Sequence, residues 1–419
     1  MTQAGIEPRQ RAVTLMTHVT EDGMALHTPH KLDQILDGLA PDDRARALRL
    51  ATEALRWANR SDRLLGPHLR MKPEDPVMNA LRLALYEIFV TDAPPHAAVN
   101  AAVSIVTKSK SGLVNGVLRN VIRRGTDWNS LPVPQTAKWL RKRLVKAWGK
   151  AAVEQMEAVH AQTPPVDITA RSDAKHWADT LKAKILPTGS LRLTEHGQIS
   201  ALPGYDEGAW WVQDAGAALP ANVLKAMPGE TVLDLCAAPG GKTLQLASAG
   251  AKVTALDVSD ARAVRLRENI NRAKLDVEVV IADALKWVPD GMFDAILLDA
   301  PCSATGTLRR HPDLGFGKTG DELETLVPLQ AALFDRAVSW LKPGGRLVYC
   351  TCSLLPEEGE EQLANALVRN PELTVADVMP EGGDPSWKSE NGGLRLRPDY
   401  WSNLGGIDGF FIAMVQKPA

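Results

Sequence analysis

Two short stretches place thiols where they could react. Asp299-Ala300-Pro301-Cys302 runs on into Ser303, Ala304, Thr305 and Gly306, and Cys350-Thr351-Cys352-Ser353 follows an apolar run. A cysteine inside an apolar strand is usually a small buried hydrophobe, and Cys236 and Cys350 are read that way. Cys302 and Cys352 fall instead in polar turns past the strand ends, where a thiolate can serve as nucleophile or ligand. Cys-x-Cys with one remote cysteine and no nearby histidine cluster is weak support for zinc, and no metal is expected.

The elements that must position these groups alternate. Apolar runs of strand length cover residues 231–236, 253–256, 277–281, 295–298 and 347–350. Helical segments at 243–249, 261–274, 323–341 and 357–370 separate them. Strands alternating with helices predict a doubly wound parallel sheet. Two further strands, 373–378 and 410–415, would form an antiparallel edge, and 382–393 reads as a flexible surface loop. If the strands before Cys302 and Cys352 are neighbours, both thiols share one rim.

The first strand opens VLDLCAAPGGKT, residues 232–243, in the order strand, Gly-rich turn, helix. Glycines there let a ligand approach the backbone, and a helix N-terminus offers free N–H groups. Gly241-Lys242-Thr243 fits the end of a phosphate-binding loop, and residues 296–299 resemble its partner strand. The first glycine of that pattern would fall on Cys236, however, and the cradle needs it. A nucleoside-type cofactor instead predicts an acid at the end of the next strand, for ribose hydroxyls. Asp257 stands there, and Asp283 follows the third strand. A nicotinamide dinucleotide would also use Asp257, but the turn is not GxGxxG. Acids at the ends of successive parallel strands favour a cofactor cleft.

Composition sets the frame. The chain has 419 residues, 45% apolar and 23% charged, with net charge −2. That length predicts two or three globular domains. No apolar run reaches about 18 residues, so no membrane-spanning helix is expected, and the start lacks the apolar core of a secretory signal. Only four cysteines occur, all from Cys236 onward, which suits a reducing cytoplasm better than a disulfide framework.

The N-terminal part reads as helices over 8–19, 42–65 (with Asp42 as cap), 76–90, 97–108 and 112–124, with TDAPPH as a loop. Val77, Leu81, Ala84, Leu85 and Ile88 recur at helical spacing and mark core. Between His96 and Lys150 lie eleven Lys/Arg and one acid, Asp127. So one-sided a window favours a polyanion-binding surface. Residues 128–134 form a Pro-punctuated linker, and 134–159 a helix with a basic cluster at Arg141, Lys142 and Arg143. Strand, helix and strand then suggest a small α/β insert. The expected domains are 1–127, all-α; 128–205, linker and small α/β part; and 206–419, the large α/β domain. No chemical motif appears in the middle part.

Two resemblances extend this reading. APPHAAVNAAVSIVTKSKSGLVNGVLRNVIRR resembles the end of a NusB-type RNA-binding helical domain. That makes Lys108, Lys110, Arg119, Arg123 and Arg124 candidate phosphate contacts. CAAPGGKT, DAPCSATGTLRRHPD, YCTCSLLPEE, WVQDAGAAL and the terminal DGFFIA resemble motifs of the NOL1/NOP2/Sun family of RNA cytosine-5 methyltransferases, with the bacterial Fmu/Sun-type 16S rRNA branch nearest. The resemblance spans nearly the whole chain. It implies a Rossmann-like sheet, S-adenosylmethionine as cofactor, structured RNA as partner and a monomer. It places the loop Cys236, Ala237, Ala238, Pro239, Gly240, Gly241 and Lys242 on the cofactor, with Asp257, Arg262, Asp283 and Asp299. It implies Cys352 as nucleophile, Cys302 as helper in release, Asp299 on the base at N3 or N4, and Lys242 steering base or cofactor. Cys350, beside the nucleophile, departs from the simplest pattern. An amino-group methyltransferase would carry an acid-Pro-Pro-aromatic motif where DAPC stands. A non-catalytic RNA-binding factor would not need both cysteines and all three aspartates.

Overall fold

The computed structural model describes residues 5–125 and 127–419. Two compact units result: the chain through Thr163 together with Leu308–Thr319, and Pro164–Thr307 with Gly320–Ala419. The expected segment 128–205 is therefore divided between the units. Among the described residues, no helix is long and apolar enough to cross a membrane.

The first unit is helical: α1 Glu7–Asp22, α2 Pro29–Leu36, α3 Pro41–Arg56, α4 Ala58–Leu65, α5 Asp75–Phe89, α6 Pro95–Ile105, α7 Lys108–Arg124, α8 Lys138–Trp148 and α9 Lys150–His160. The stripe Val77, Leu81, Ala84, Leu85 and Ile88 on α5 is buried as expected. Several boundaries differ. The single helix over 42–65 breaks at Trp57, whose ring lies 5.8 Å from Trp128. Asp42 sits in the first turn of α3, and Ala40 is at the cap. Pro95 and His96, assigned to a loop, open α6, since proline suits a first helical turn. The helix over 134–159 breaks at Gly149, which takes φ +81°. Within the basic cluster, Arg141 is paired with Glu157 at 2.9 Å.

Leu308–Thr319 joins this unit from far along the chain. Arg56 donates to the carbonyls of His160 (2.8 Å) and Arg309 (2.7 Å). Leu26 N–H donates to Asp313 at 3.0 Å. A Cβ on Gly317 would lie 2.3 Å from the Gly23 carbonyl oxygen, so the two strands of chain meet backbone to backbone.

The second unit begins with a four-stranded antiparallel sheet, β1 Val166–Ala170, β2 Ala183–Ile185, β3 Leu191–Leu193 and β4 Trp210–Val212, in the order β2-β3-β1-β4 with α10 Ala174–Leu181. The buried Asp167–Arg192 pair, at 2.6 Å, spans β1 and β3. Asp167 also accepts from Ala215 N–H at 3.2 Å, which ties this sheet to the start of α11 Ala215–Leu224.

The main sheet comes next: β5 Thr231–Leu235, α12 Gly241–Ser248, β6 Lys252–Asp257, α13 Asp260–Ala273, β7 Val277–Ile281, β8 Phe293–Asp299, α14 Leu323–Ser339, β9 Leu341–Thr351, α15 Glu360–Arg369, β10 Thr374–Val375, β11 Leu394–Leu396 and β12 Phe410–Gln416. Its order is β10-β12-β9-β8-β5-β6-β7, with β11 also paired to β12. Strands β5 to β9 are parallel and β12 is antiparallel, a Rossmann-like sheet with the expected edge. Only two residues of the expected 373–378 strand pair. Apolar clusters bury both faces, one around Leu233, Ile296 and Phe334, the other around Val232, Leu297 and Val348. Parallel strands buried on both faces read as continuous apolar runs, which is why they were visible in the sequence. The segment 382–393 is not simply a surface loop, because Trp387 is fully buried in the second cluster.

Candidate active site

Strand order reverses between β5 and β8, and ligands of doubly wound sheets bind beyond the carboxyl ends at that point. Two clefts open there. One, of about 590 Å³, is lined by Cys236, Asp257, Val258, Asp283, Pro301 and Cys352 among others. The other, of about 410 Å³, includes Trp211, Gln213, Asp234, Ala238, Pro239 and Lys242, and Asp299 borders both.

The turn after β5 is braced by protein. Ala238 N–H donates to the buried Asp257 carboxylate at 3.0 Å, and Ser259 N–H donates to its other oxygen at 2.9 Å. Arg262 lies 3.7 Å from Asp257 and donates to the Ala238 carbonyl. Asp257 and Arg262 therefore shape the turn as well as facing the cleft. The glycines answer to packing: a Cβ on Gly240, at φ +107°, would lie 2.6 Å from Leu266, and one on Gly241 would lie 3.3 Å from Gln213. Cys236 is not held within β5; it leaves the strand at φ +66° and lines the larger cleft. Asp283 accepts from Leu285 N–H at 3.0 Å and sits 3.5 Å from Lys286.

Beside the turn, the Lys242 ammonium is 2.7 Å from Asp299 and 5.4 Å from the Phe410 ring centroid. Burial disfavours its charge, but the Asp299 carboxylate outweighs that and holds its pKa above the ordinary value. Asp234, which lies inside the apolar run of β5, is buried and pushed up to about 7 by that burial. It accepts from Thr243 Oγ1 at 2.5 Å.

The two thiols meet. Asp299 and Cys350 are in register on neighbouring parallel strands β8 and β9, so the turns beyond them converge. Cys302 Sγ and Cys352 Sγ are 3.5 Å apart, both partly exposed. The hydrogen bond with Cys352, then burial, raises the Cys302 pKa well above that of a free thiol. Cys350 is fully buried, as expected of a strand cysteine, with Sγ 3.5 Å from Asp299 Oδ1. Gly306 fits this corner because its Cβ would lie 2.0 Å from the Gly409 carbonyl oxygen, which brings the terminal DGFFIA segment against the thiol loop. The sequence reading missed the buried polar residues beneath the thiols, Ser303, Thr305, Gln330, Ser353 and Glu358. The only signal concerned Glu358, the second of two acids after Leu354-Leu355-Pro356.

The phosphate candidates lie in the helical unit. Lys108, Arg119, Arg123 and Arg124 are exposed on α7, whereas Lys110 is 3.5 Å from Glu74 and Arg123 donates to Asn120 at 2.7 Å.

The larger cleft fits an adenosine-like group on its own terms. Val258 and Leu285 line it with 68% and 40% of their surfaces exposed, apolar walls beside the Asp257 and Asp283 carboxylates. A model of the 16S rRNA methyltransferase RsmB/F family matches residues 221–416, and a NusB family model matches residues 6–123. The chain is 36% identical to the ribosomal RNA small subunit methyltransferase B of Pseudomonas putida, over 99% of each chain. It is 33% identical to the protein of that name from Cronobacter sakazakii, over 98% of this chain and 99% of that one. The crystal structure of PH0851 has the same fold, with a TM-score of 0.76 at 22% identity, covering 98% of this chain and 99% of that one. A methyltransferase homolog protein from Pyrococcus horikoshii aligns at TM-score 0.56 and 27% identity, over 71% of this chain and 98% of its own. Fold and cleft define an S-adenosylmethionine-dependent methyltransferase. The chain belongs to the 16S rRNA methyltransferase RsmB/F family, with a NusB domain at its N-terminus.

Proposed function

We propose that the protein methylates carbon 5 of a cytosine in 16S rRNA, through a covalent bond from Cys352 to carbon 6 of the base. The approach of Cys302 and Cys352 to 3.5 Å, on turns flanking Asp299, carries this reading. S-adenosylmethionine, held by the 236–242 turn with Asp257, Arg262, Asp283 and Asp299, supplies an electrophilic methyl group. Carbon 5 of cytosine is a poor nucleophile. Addition of the Cys352 thiolate at carbon 6 converts the ring to an enamine whose carbon 5 can take that methyl. Asp299 hydrogen-bonds the base at N3 or N4 and favours the protonated adduct. Lys242, fixed to Asp299, orients the carboxylate and the base edge. Loss of the carbon 5 proton then expels the Cys352 thiolate and restores the ring. Cys302 serves this last step, as the base or by orienting one.

The base must leave its stack to reach these groups, at a cost of a few kcal/mol that is least in a loop. Lys108, Arg119, Arg123 and Arg124 hold the surrounding phosphates, and Lys110 contributes less because of Glu74. The absence of cysteine before Cys236 and the free thiols agree with a reducing cytoplasm, where the protein acts as a monomer.

The direct test incubates the protein with 16S rRNA and methyl-labelled cofactor and analyses the nucleosides. 5-Methylcytidine is expected; N4-methylcytidine would replace this mechanism with amino-group transfer. In the same assay, changing Arg119, Arg123 and Arg124 together to Gln should weaken RNA binding and flatten its log–log salt dependence by up to about 2. An unchanged slope removes α7 from the RNA contact.

A further inference from the structure

Beneath the two thiols lies a carboxylate that the reaction scheme does not use. Glu358 is fully buried, in the 3-10 turn Pro356–Glu358 that leads into α15. Its Oε1 accepts from Ser303 N–H at 2.8 Å and from Gln330 Nε2 at 3.0 Å, and Oε2 accepts from Ser303 Oγ. Gln330 also donates to the Pro301 carbonyl at 2.9 Å. Glu358 thus holds the residue after Cys302 directly and the residue before it through Gln330. The backbone of Glu358 grips the other strand: its carbonyl accepts from Tyr349 Oη at 2.8 Å and Thr351 Oγ1 at 3.1 Å. The Ser303, Thr305 and Ser353 hydroxyls close the gap between the loops at 3.2–3.3 Å.

A carboxylate is costly to bury unless donors surround it. A hydrophobe could fill the space, but it could not accept from two loops at once. The donors here come from the turns bearing Cys302 and from α14, while the carbonyl holds β9 just before Cys352. We infer that Glu358 is a positioning residue for the thiol pair: it fastens the Cys302 turn to the Cys352 turn and so fixes the spacing of the two sulfurs. After the hydrogen bond with Cys352, burial and the Cys352 charge, the Glu358 charge adds to what holds Cys302 in its thiol form. The inference rests on the assignment of Cys352 as nucleophile and Cys302 as release thiol.

The test compares Glu358→Ala, Glu358→Gln and Ser303→Ala in the full chain. The readouts are the pH profile of iodoacetamide alkylation at each thiol, cofactor affinity, and kcat against KM. Glutamine keeps an acceptor for Ser303 N–H and Gln330 and can donate to Ser303 Oγ, but it lacks the charge. Glu358→Gln should keep most of kcat and move Cys302 alkylation to lower pH. Glu358→Ala should lower kcat by about a hundredfold, the scale of a misplaced reacting group, with cofactor affinity and KM for RNA little changed. Ser303→Ala, which removes one of the contacts, should fall between and serves if the alanine variant does not fold. Unaltered alkylation profiles and kcat in Ser303→Ala and Glu358→Gln overturn the inference, as does parallel loss of cofactor binding and kcat. An exchange of thiol roles would appear separately, as adduct retention in Cys352→Ala instead of Cys302→Ala, with the alkylation result unaffected.

Discussion

Replacing Cys302 by alanine should trap the enzyme on its RNA. With cofactor present, the Cys302→Ala protein should form a covalent complex visible on a denaturing gel, carry the methyl group in that complex, and turn over little. Cys352→Ala should give neither complex nor product. The asymmetry arises from chemistry that the two positions share unequally. Addition at carbon 6 and methyl transfer need one thiolate; elimination needs a group near carbon 5 and the departing sulfur. The sulfurs are 3.5 Å apart, so the second thiol lies within reach of both. Cys302, whose pKa is raised by its hydrogen bond to Cys352 and by burial, is the poorer nucleophile at neutral pH. General acid–base steps contribute about 10²–10⁴-fold, so release in Cys302→Ala should slow by that order. Full methylation by Cys352→Ala would transfer the nucleophile's role to Cys302 or Cys350.

The second large effect is expected at Asp299. In the proposed mechanism Asp299→Ala would remove the hydrogen bond to the base, and a lost transition-state donor or acceptor of this kind costs about 10²–10³ in kcat. It also strands the Lys242 ammonium, which is mostly buried and 2.7 Å from that carboxylate. Breaking such a pair from one side destabilises by about 3–5 kcal/mol, because the remaining charge loses its compensation. Lys242→Met in the Asp299→Ala background should therefore recover much of the stability and none of the activity. Thermal melting and single-turnover methylation of the two single variants and the double variant separate these effects. If the double variant melted no higher than Asp299→Ala, the stranded charge would not be the source of the loss. If Asp299→Ala kept wild-type kcat, the base would be recognised elsewhere.

What could be read from residue order alone divides along a physical line. Runs such as AILL before Asp299 and LVYC before Thr351 are apolar throughout because both faces of a parallel strand are covered. Their order along the chain, with helices between, leaves few topologies. The acids at strand ends were legible for the same reason, since a charged residue that stops an apolar run marks its carboxyl end. The pairing of Trp210–Val212 with Val166–Ala170 was not legible, because antiparallel register across some forty residues leaves no periodic trace. The break at Trp57 carries neither glycine nor proline, and the residue there packs against Trp128, distant in sequence. Gly149 did carry a signal, an isolated glycine inside a helical run, but the helical pattern on either side of it masks the break. Glu358 fell inside the segment read as a helix over 357–370, whereas it ends a 3-10 turn just before that helix begins at Glu360. Only the converging loops show that its carboxylate is enclosed by donors.

The excursion of Leu308–Thr319 into the helical unit bears on how the protein is made. The N-terminal helices leave the ribosome early, at roughly 5–20 residues per second. Yet Arg56 and Leu26 must wait for partners encoded well past the first strands of the Rossmann-like sheet. Until then the helical unit has an unfilled seat, and the nascent chain can complete it only by threading back after Thr307 and leaving again at Gly320. The two units are thus not modules that could be cut apart between Thr163 and Pro164. A gene fusion or a swap made at that point would give a helical portion lacking one of its own segments, and a catalytic portion carrying that segment with nothing to receive it.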